Sequence, residues 1–257
     1  MNNVALITGA STGIGYELAK VHAKNNKDLI IVSRNIDDLN KIKEEFEKEY
    51  NIQVVCINKD LSIPNASIEL YNQIKELNIE VEYLINNAGV GFQGYFNDND
   101  LEKYTSSINL NIIALTELTK LFVKDFLINN KGKILNVSSI AAYQAGPMLS
   151  VYSATKAYVT SFSNAVATEL YKSNVTITTL HPGVTNTPFV SKGNFENVKI
   201  FKRTKHPSVV AIKGYKAMMK GKLNVEAAVS FKCKLLLISA KFVPKKIALR
   251  ITMYLQK

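Results

Sequence analysis

The sequence Val4-Ala-Leu-Ile-Thr8-Gly9-Ala-Ser-Thr-Gly13-Ile-Gly15 carries the strongest structural signal near the N-terminus of this chain. Its first five residues are apolar or β-branched and predict a buried strand, whereas the apolar spacing after Gly15 predicts a helix. A glycine-rich turn between a strand and a helix lets the backbone approach a pyrophosphate at the helix N-terminus. The spacing, G-x-x-x-G-x-G, differs from the general dinucleotide fingerprint G-x-G-x-x-G. We therefore expect a dinucleotide to bind at this turn, through Gly9, Ser11, Thr12, Gly13, Ile14 and Gly15.

Apolar runs of this kind recur along the chain and alternate with longer helical patterns. The predicted strands are Val4–Thr8, Leu29–Ser33, Val54–Ile57, Tyr83–Asn86, Ile134–Ser138, Thr176–Leu180 and Val225–Val229. Predicted helices include Leu101 to Asn129, Val151 to Lys172 and His206–Gly221. Fully apolar strands that alternate with helices imply a parallel sheet with right-handed crossovers. The sequence thus predicts an α/β fold with a single doubly wound, Rossmann-type parallel sheet and helices on both faces.

The chain is long enough for one domain, and its charge is unevenly distributed. Its 257 residues, 47% of them hydrophobic, can bury a full core. Residues 199–257 hold 15 Lys or Arg and one acid, Glu226, whereas residues 1–198 carry a net charge of −3. We predict a dinucleotide-binding and catalytic domain over residues 1–229 and a basic amphipathic helical tail over residues 230–257.

The N-terminus and the cysteines bear on where the protein works. The first predicted strand begins almost at the N-terminus, which leaves no room for a signal peptide. Cys56 and Cys233 lie far apart and show no disulfide or metal-like spacing. These features predict a cytoplasmic protein.

The three histidines predict no metal site. We expect His22 and His206 on helical or loop surface, with no Cys, His or acid cluster around them. His181 directly precedes a proline, and we expect a structural role for it.

The end of the second strand bears on which dinucleotide binds. An NAD enzyme of this layout usually has an Asp or Glu there, which binds the ribose 2′-hydroxyl. Here the strand ends in Ser33-Arg34. A guanidinium offers a planar set of donors that fits a 2′-phosphate, and the Ser33 hydroxyl adds one more. The sequence therefore favours NADP(H).

Tyr152-Ser-Ala-Thr-Lys156 places a phenol and an ammonium on one face of a predicted helix, because the two residues are four positions apart. A lone phenol titrates near pH ~10 and exchanges protons poorly at neutral pH. A fixed ammonium favours the phenolate, so we expect Lys156 to lower the pKa of Tyr152. The pair then forms a general acid and base unit.

The glycine turn and this Tyr/Lys pair together resemble the short-chain dehydrogenase/reductase family, over about residues 4–190. Three further motifs are similar to the family's segments at the adenine ring, the adenine ribose and the nicotinamide, in that order along the chain. They comprise Asp60 and Leu61, then Asn86, Asn87, Ala88 and Gly89, then Pro182, Gly183, Val184 and Thr187. The resemblance implies that these segments, with Tyr152 and Lys156, bind the cofactor.

The resemblance also implies the catalytic roles. Ser139 lies thirteen residues before Tyr152, the family's spacing for its catalytic Ser, and Ser138 would face the other way along a strand. Asn111 takes the place of the family's helix Asn, whose backbone holds a water in a proton relay, and Asn109 is the competing residue. The implied catalytic set for a reversible carbonyl and alcohol hydride transfer is Asn111, Ser139, Tyr152 and Lys156.

Residues 189–205 correspond to the family's variable substrate loop. Apolar residues in and around it predict a hydrophobic ketone or aldehyde as substrate: Val90, Phe92, Tyr95, Tyr143, Met148, Phe189, Val190, Phe195, Ile200 and Phe201. One alternative is a lipid or acyl-carbonyl reductase at a membrane surface. Another is a non-catalytic dinucleotide-sensing protein, although that class would be expected to lack the Ser, Tyr or Lys.

The tail contains two basic amphipathic segments, Phe231–Ile238 and Ile247–Leu255, with Pro244 between them. Neither approaches the ~20 apolar residues that span a bilayer. The segments would lie on an anionic membrane surface, or pack on the protein body or another subunit, and the sequence leaves both alternatives open. The family resemblance implies a homodimer or homotetramer. A nucleic-acid motif is not found, so nucleic acid is not an expected partner.

Overall fold

A computed structural model describes residues 1–193, 195, 204–230 and 243–256, and its central feature is a parallel sheet. Within these residues the sheet has seven strands in the order β3-β2-β1-β4-β5-β6-β7. They are β1 (Val4–Thr8), β2 (Leu29–Ser33), β3 (Val54–Asn58), β4 (Val81–Asn86), β5 (Gly132–Val137), β6 (Val175–Pro182) and β7 (Asn224–Ala227). Every pairing between neighbouring strands is parallel. The order runs outward in both directions from β1 and β4, which confirms the predicted doubly wound, Rossmann-type fold.

Helices connect the strands. The described helices are α1 (Gly13–Ala23), α2 (Ile36–Tyr50), α3 (Ala66–Glu76), α4 (Leu101–Ile108), α5 (Leu115–Ile128), α6 (Ser150–Glu169), α7 (Phe189–Lys192), α8 (Pro207–Met219) and α9 (Lys245–Leu255). Short 3₁₀ turns occur at Phe96–Asp98 and Ile140–Tyr143. A π-helical segment, Asn109–Ala114, joins α4 to α5, so the single long helix predicted there is interrupted.

Apolar layers cover both faces of the sheet. Along β1 the side chains alternate, with Ala5 and Ile7 in one buried cluster and Val4 and Leu6 in the other. Helices α1, α2 and α8 contribute to the first cluster, and α3 and α5 to the second. Each fully buried side chain of Leu or Ile size contributes about 1.5–3 kcal/mol of hydrophobic free energy. The two layers fix the sheet and thereby the positions of the strand ends.

His22 is buried, and the prediction that it lies on the surface is wrong. It lies on the same face of α1 as Leu18 and Ala19, where α1 packs against α8. Its Nε2 donates to the Asn3 carbonyl oxygen at 2.9 Å, and its Nδ1 lies 3.0 Å from the Tyr215 hydroxyl. Burial lowers the pKa of His22 to about 4, so the ring is neutral. His206, in contrast, is exposed and caps the N-terminus of α8.

The C-terminal helix α9 packs on the protein body. Gln144 Nε2 donates to Thr252 Oγ1 at 2.6 Å, and Gln93 Nε2 donates to the Gln256 carbonyl oxygen at 3.1 Å. The other tail segment, Phe231–Ile238, lies outside the described residues. Among the described helices, none has the length and apolar character of a membrane-spanning segment.

Candidate active site

A cleft of about 740 Å³ runs along the carboxyl ends of the strands, where open α/β sheets bind their ligands. The residues of the predicted cofactor segments line it, except Gly15, which is buried behind Gly9, and Asn86, which is bonded to Thr119 and Asn136. A Cβ atom on Gly15 would lie 2.1 Å from the Gly9 carbonyl oxygen, so no side chain fits there. The structure therefore brings the predicted cofactor segments together in one cleft.

The glycine turn is shaped for an anionic group. Gly9 and Gly13 have φ angles of +65° and +60°, which L side chains rarely adopt. The first turn of α1 has no acidic residue, and Thr12 makes no side-chain cap. The N–H groups and positive dipole of that helix end are therefore available to a pyrophosphate. The turn fits the dinucleotide predicted from the sequence.

Asn87 and Thr8 fasten this turn to the end of β4. The Thr8 hydroxyl accepts hydrogen bonds from the backbone N–H groups of Asn87 and Ala88 at 3.1 and 3.0 Å. The Asn87 side chain donates to the carbonyl oxygens of Thr8 and Gly9 at 2.9 and 3.1 Å. Asn87 thus positions the glycine turn, and Thr8 is a positioning residue that sequence reasoning missed.

Arg34 lies at the adenine end of the cleft, after β2. Its side chain is 62% exposed, and NH1 lies 3.8 Å from Asp60 Oδ2. An exposed pair of this kind contributes at most about 1 kcal/mol, so a phosphate can compete for the guanidinium. Ser33 uses its hydroxyl within the turn, where it donates to the Asn35 carbonyl at 3.1 Å. Lys59 also lines this end and was missed by the sequence prediction.

Ser139, Tyr152 and Lys156 come together at the centre of the cleft. Ser139 follows β5, and its hydroxyl forms a hydrogen bond with Tyr152. Helix α6 carries both Tyr152 and Lys156, with Lys156 Nζ 5.8 Å from the centroid of the Tyr152 ring. The ammonium also donates to the Val137 carbonyl oxygen at 2.8 Å. The structure thus brings together the three side chains that the spacing in the sequence had singled out.

Burial dominates the protonation of both Tyr152 and Lys156. It raises the pKa of Tyr152 to about 12, against a smaller lowering by the hydrogen bond with Ser139. It lowers the pKa of Lys156 to about 8. The prediction that Lys156 brings the pKa of Tyr152 below its usual value is therefore wrong for this structure, because desolvation outweighs the expected attraction.

Ser138 faces away from the cleft centre, as predicted. Its hydroxyl donates to the Lys156 carbonyl oxygen at 2.8 Å and lies 2.8 Å from Thr160 Oγ1. It fastens β5 to α6 and leaves Ser139 beside Tyr152. His181 is also buried, with Nε2 3.1 Å from Asn224 Oδ1 and Nδ1 3.3 Å from the Ser139 carbonyl oxygen.

Asn111 lies in the π-helical segment and reaches the loop after β4. Its Oδ1 accepts from the Val90 N–H at 3.0 Å, and its Nδ2 donates to the Val90 carbonyl at 2.8 Å. Nδ2 also lies 3.0 Å from Thr155 Oγ1 on α6. Asn109 instead donates to the Ser62 carbonyl oxygen at 3.2 Å. Of the two candidates, Asn111 is the one that joins the cleft segments.

The substrate end has an apolar floor. Phe189 packs against Tyr152 at a ring centroid distance of 5.4 Å and stacks on Phe195 at 5.2 Å. Gly91 was missed by the sequence prediction, yet a Cβ there would lie 2.6 Å from Tyr152 Cδ2. Leu149, Val90 and Phe92 also line the cleft. Ile200 and Phe201 of the predicted lining lie outside the described residues.

Tyr95 and Tyr143, two of the predicted lining residues, do not line the cleft. They are 46% and 40% exposed. The Tyr143 ring stacks on His181 at 5.0 Å, and its neighbour Gln144 lines the cleft. Sequence pattern alone does not separate lining residues from their exposed neighbours, because both are apolar.

A known protein family matches most of the chain, including most of the segments that line this cleft. The sequence profile described as short chain dehydrogenase matches residues 3–197. The chain belongs to the short-chain dehydrogenase family. The glycine turn, the Asn86 to Gly89 segment and the Tyr152 and Lys156 pair all lie within the matched residues.

Curated relatives within the short-chain dehydrogenase family are similar over part of their length. The very-long-chain 3-oxoacyl-CoA reductase of Mus musculus is 33% identical over 178 residues, which cover 66% of this chain and 54% of that protein. The 17-beta-hydroxysteroid dehydrogenase type 3 of Mus musculus is 32% identical over 204 residues, covering 77% and 65%. The chain thus spans little more than half to just under two thirds of these relatives.

Solved structures of short-chain dehydrogenases share the fold. A short-chain dehydrogenase from Sphingobium yanoikuyae in complex with NADPH superposes with a TM-score of 0.84 at 24% identity, covering 93% of both chains. A 7beta-hydroxysteroid dehydrogenase superposes with a TM-score of 0.84 at 22% identity, covering 98% of this chain and 99% of that chain. At this level of identity the similarity concerns the fold.

Proposed function

We propose that this protein is an NADP(H)-dependent oxidoreductase that interconverts a carbonyl group and an alcohol. The observation that carries the proposal is that Ser139, Tyr152 and Lys156 lie together in one cleft. The glycine turn lines the same cleft. A protein that only sensed a dinucleotide would need no proton donor at the substrate end. The assembled site therefore favours turnover over sensing.

The proton that the reduction requires comes from Tyr152. When bound, NADPH supplies the hydride that reduces the carbonyl carbon. Tyr152 donates its phenolic proton to the carbonyl oxygen. Its raised pKa keeps it protonated at neutral pH but makes it a weaker acid, so the transfer depends on groups that stabilise the phenolate. Ser139 donates a hydrogen bond to the same oxygen as negative charge develops there. Lys156 stabilises the phenolate that is left and binds the nicotinamide ribose.

Asn111 supports the return of a proton to Tyr152. The π-helical segment widens the helix at Asn111, and such segments often mark functional sites. We infer that the Asn111 backbone holds a water there, which passes a proton to Tyr152 by way of Lys156. The reverse reaction, alcohol oxidation, uses the same groups, so the ratio of reduced to oxidised cofactor sets the direction in the cell.

The choice of NADP(H) over NAD(H) rests on Arg34. Replacing Arg34 with Ala removes the cation at the proposed 2′-phosphate site. Charged hydrogen bonds contribute about 1.5–3 kcal/mol, so kcat/KM for NADPH should fall roughly 10- to 100-fold while kcat/KM for NADH stays nearly constant. Lys41→Ala, an exposed cation of α2 that does not line the cleft, is the matched control. A wild-type preference for NADH would refute the assignment.

The floor formed by Phe189, Phe195 and Leu149 supports a hydrophobic ketone or aldehyde as substrate. A second candidate, a long-chain 3-oxoacyl thioester, is favoured by the names of relatives such as the Mus musculus reductase. Absorbance of NADPH, followed against ketones, aldehydes and 3-oxoacyl thioesters of increasing chain length, tests both. Turnover that increases with acyl length favours the thioester, and no turnover of any carbonyl would contradict the proposed function.

We propose a homodimer or homotetramer, as in the family that the chain belongs to. We also propose a cytoplasmic location with peripheral membrane contact. We also propose that residues 1–229 form the catalytic unit, with residues 230–257 as an addition to it.

A further inference from the structure

Helix α9 forms part of the wall of the substrate end of the cleft. Thr252, Leu255 and Gln256 line it, and the hydrogen bonds from Gln93 and Gln144 hold the helix there. The buried Oε1 atom of Gln256 has no hydrogen-bond partner among the described residues. The position of α9 therefore determines how the substrate end opens to its surroundings.

The outer face of α9 carries apolar and basic side chains. Ile247, Ile251 and Tyr254 are 50%, 45% and 66% exposed. Their spacing of four and three residues places them on one ridge of the helix. Lys246 and Arg250 are exposed along the same helix, which contains no acidic residue. A helix on the surface of a soluble protein usually turns its apolar ridge towards the core, whereas α9 turns this ridge outward.

Other exposed apolar side chains lie close in sequence to the residues that hold α9. Tyr95 and Phe96 are 46% and 65% exposed, and they follow Gln93, which is bonded to the end of α9. Tyr143 is 40% exposed and precedes Gln144, which is bonded to Thr252. Three segments of the chain, each close in sequence to residues that line the cleft, thus carry exposed aromatic or branched side chains. We call these residues and the α9 ridge the rim surface.

We propose that the rim surface docks on an anionic lipid bilayer, so that the mouth of the substrate cleft faces the membrane. A bilayer surface offers both an apolar layer for the ridge and anionic headgroups for Lys246 and Arg250. Tyrosine side chains favour this boundary because their rings are apolar and their hydroxyls are polar. A carbonyl substrate dissolved in the bilayer would then enter the cleft directly, a consequence that rests on the proposed function.

A second copy of the chain is a less suitable occupant of this surface. In a symmetric dimer through the rim, each ridge would meet the same ridge of the partner. Lys246 and Arg250 would then approach their own copies, and α9 has no acidic residue that pairs with them. The cations of α9 match anionic lipid better than they match one another, whereas Asp98 and Asp100 beside Phe96 carry the opposite charge.

Flotation of the full-length protein with vesicles tests the docking without any substrate. Vesicles of phosphatidylcholine alone are compared with vesicles that also contain phosphatidylserine. We expect binding at least tenfold stronger to the anionic vesicles, with a decrease as salt is raised. Ile247→Ser with Ile251→Ser, and separately Lys246→Glu with Arg250→Glu, should each reduce that binding at least tenfold.

The controls are matched double variants of residues near the amino ends of the strands, opposite the cleft. Leu77→Ser with Ile128→Ser removes two exposed apolar side chains near the starts of β4 and β5. Lys48→Glu with Lys172→Glu changes the net charge by the same amount away from the rim. Both controls should float like wild type. Melting temperature and NADPH binding of every variant check that the fold is kept.

Several results would overturn the docking. Equal flotation with neutral and anionic vesicles, unchanged flotation of the α9 variants, or equal losses in the controls would each do so. Sedimentation velocity separates the remaining possibility: an α9 variant that dissociates a dimer but floats normally would identify a second copy as the occupant. Because none of these measurements uses a carbonyl substrate, a failure of the proposed reaction would leave them unaffected.

Discussion

At the scale of residues, burial sets the chemistry of Tyr152 and Lys156. Burial makes the phenol a weaker acid, with a pKa of about 12 despite the hydrogen bond with Ser139, and the ammonium a stronger one, with a pKa of about 8. Below pH 8 the site therefore holds a protonated phenol beside a cation, which is the form that donates a proton to a carbonyl oxygen. Oxidation of an alcohol uses the phenolate instead, so the rates of the two directions should depend on pH in opposite ways.

Carbonyl reduction should lose efficiency above pH 8. In the free enzyme Lys156 loses its proton there, and with it the charge that stabilises the phenolate left by Tyr152. The pH dependence of kcat/KM reports free-enzyme pKa values, so kcat/KM for NADPH-supported reduction should fall with an apparent pKa near 8. NADPH binding, followed by fluorescence over the same range, is the control. A flat profile up to pH 10 would contradict the role given to Lys156.

At the scale of elements, the contact between α1 and α8 depends on a neutral His22. The ring lies between the Asn3 carbonyl and the Tyr215 hydroxyl and is fully buried. A charged imidazolium there would lose its hydration, which is why the folded protein resists protonation of this residue. Helix α1 also carries the glycine turn at its N-terminus, so this contact supports the cofactor end of the cleft.

Acid should destabilise the fold through His22. The pKa of His22 is about 4 in the folded protein and 6.5 for an unperturbed histidine, the value taken for the unfolded chain. Above pH 6.5 both states are neutral, so the stability is fully present; as pH falls from 6.5 towards 4, only the unfolded chain gains the proton. The free energy of unfolding should therefore drop by up to about 3 kcal/mol across that window. Urea unfolding measured against pH checks this, and a His22→Gln variant that keeps the same slope would refute it.

Local pattern predicted the elements well where burial follows directly from sequence. The run Val4–Thr8 is apolar throughout and lies between polar residues and a glycine, so its bounds as a strand were predicted without error. The π-helical segment was not predicted, because local pattern does not show it. Within it the Asn111 side chain exchanges two hydrogen bonds with the backbone of Val90, 21 residues away. His22 shows the same limit: its helical spacing with Leu18 and Ala19 was the signal that could have placed it inside.

At the scale of the whole molecule, the doubly wound topology brings the functional residues to one edge. Ser139 follows β5 and the glycine turn follows β1, and β4 lies between these two strands in the sheet. The position of the cleft was therefore predictable from the order of motifs. The place of α9 was not, because amphipathic spacing shows that a helix has two faces but not which surface each face meets. The pKa values of Tyr152 and Lys156 likewise depend on the burial that the assembled fold imposes.

The turnover of Tyr152→Phe, measured beside its NADPH affinity, shows whether Tyr152 is the proton donor. The substitution removes one oxygen and leaves the ring that packs on Phe189. If Tyr152 is the proton donor, kcat for carbonyl reduction should fall by about 10²- to 10⁴-fold, the usual contribution of general acid catalysis, while NADPH affinity stays nearly constant. Turnover close to wild type in a folded, NADPH-binding Tyr152→Phe variant would contradict the account.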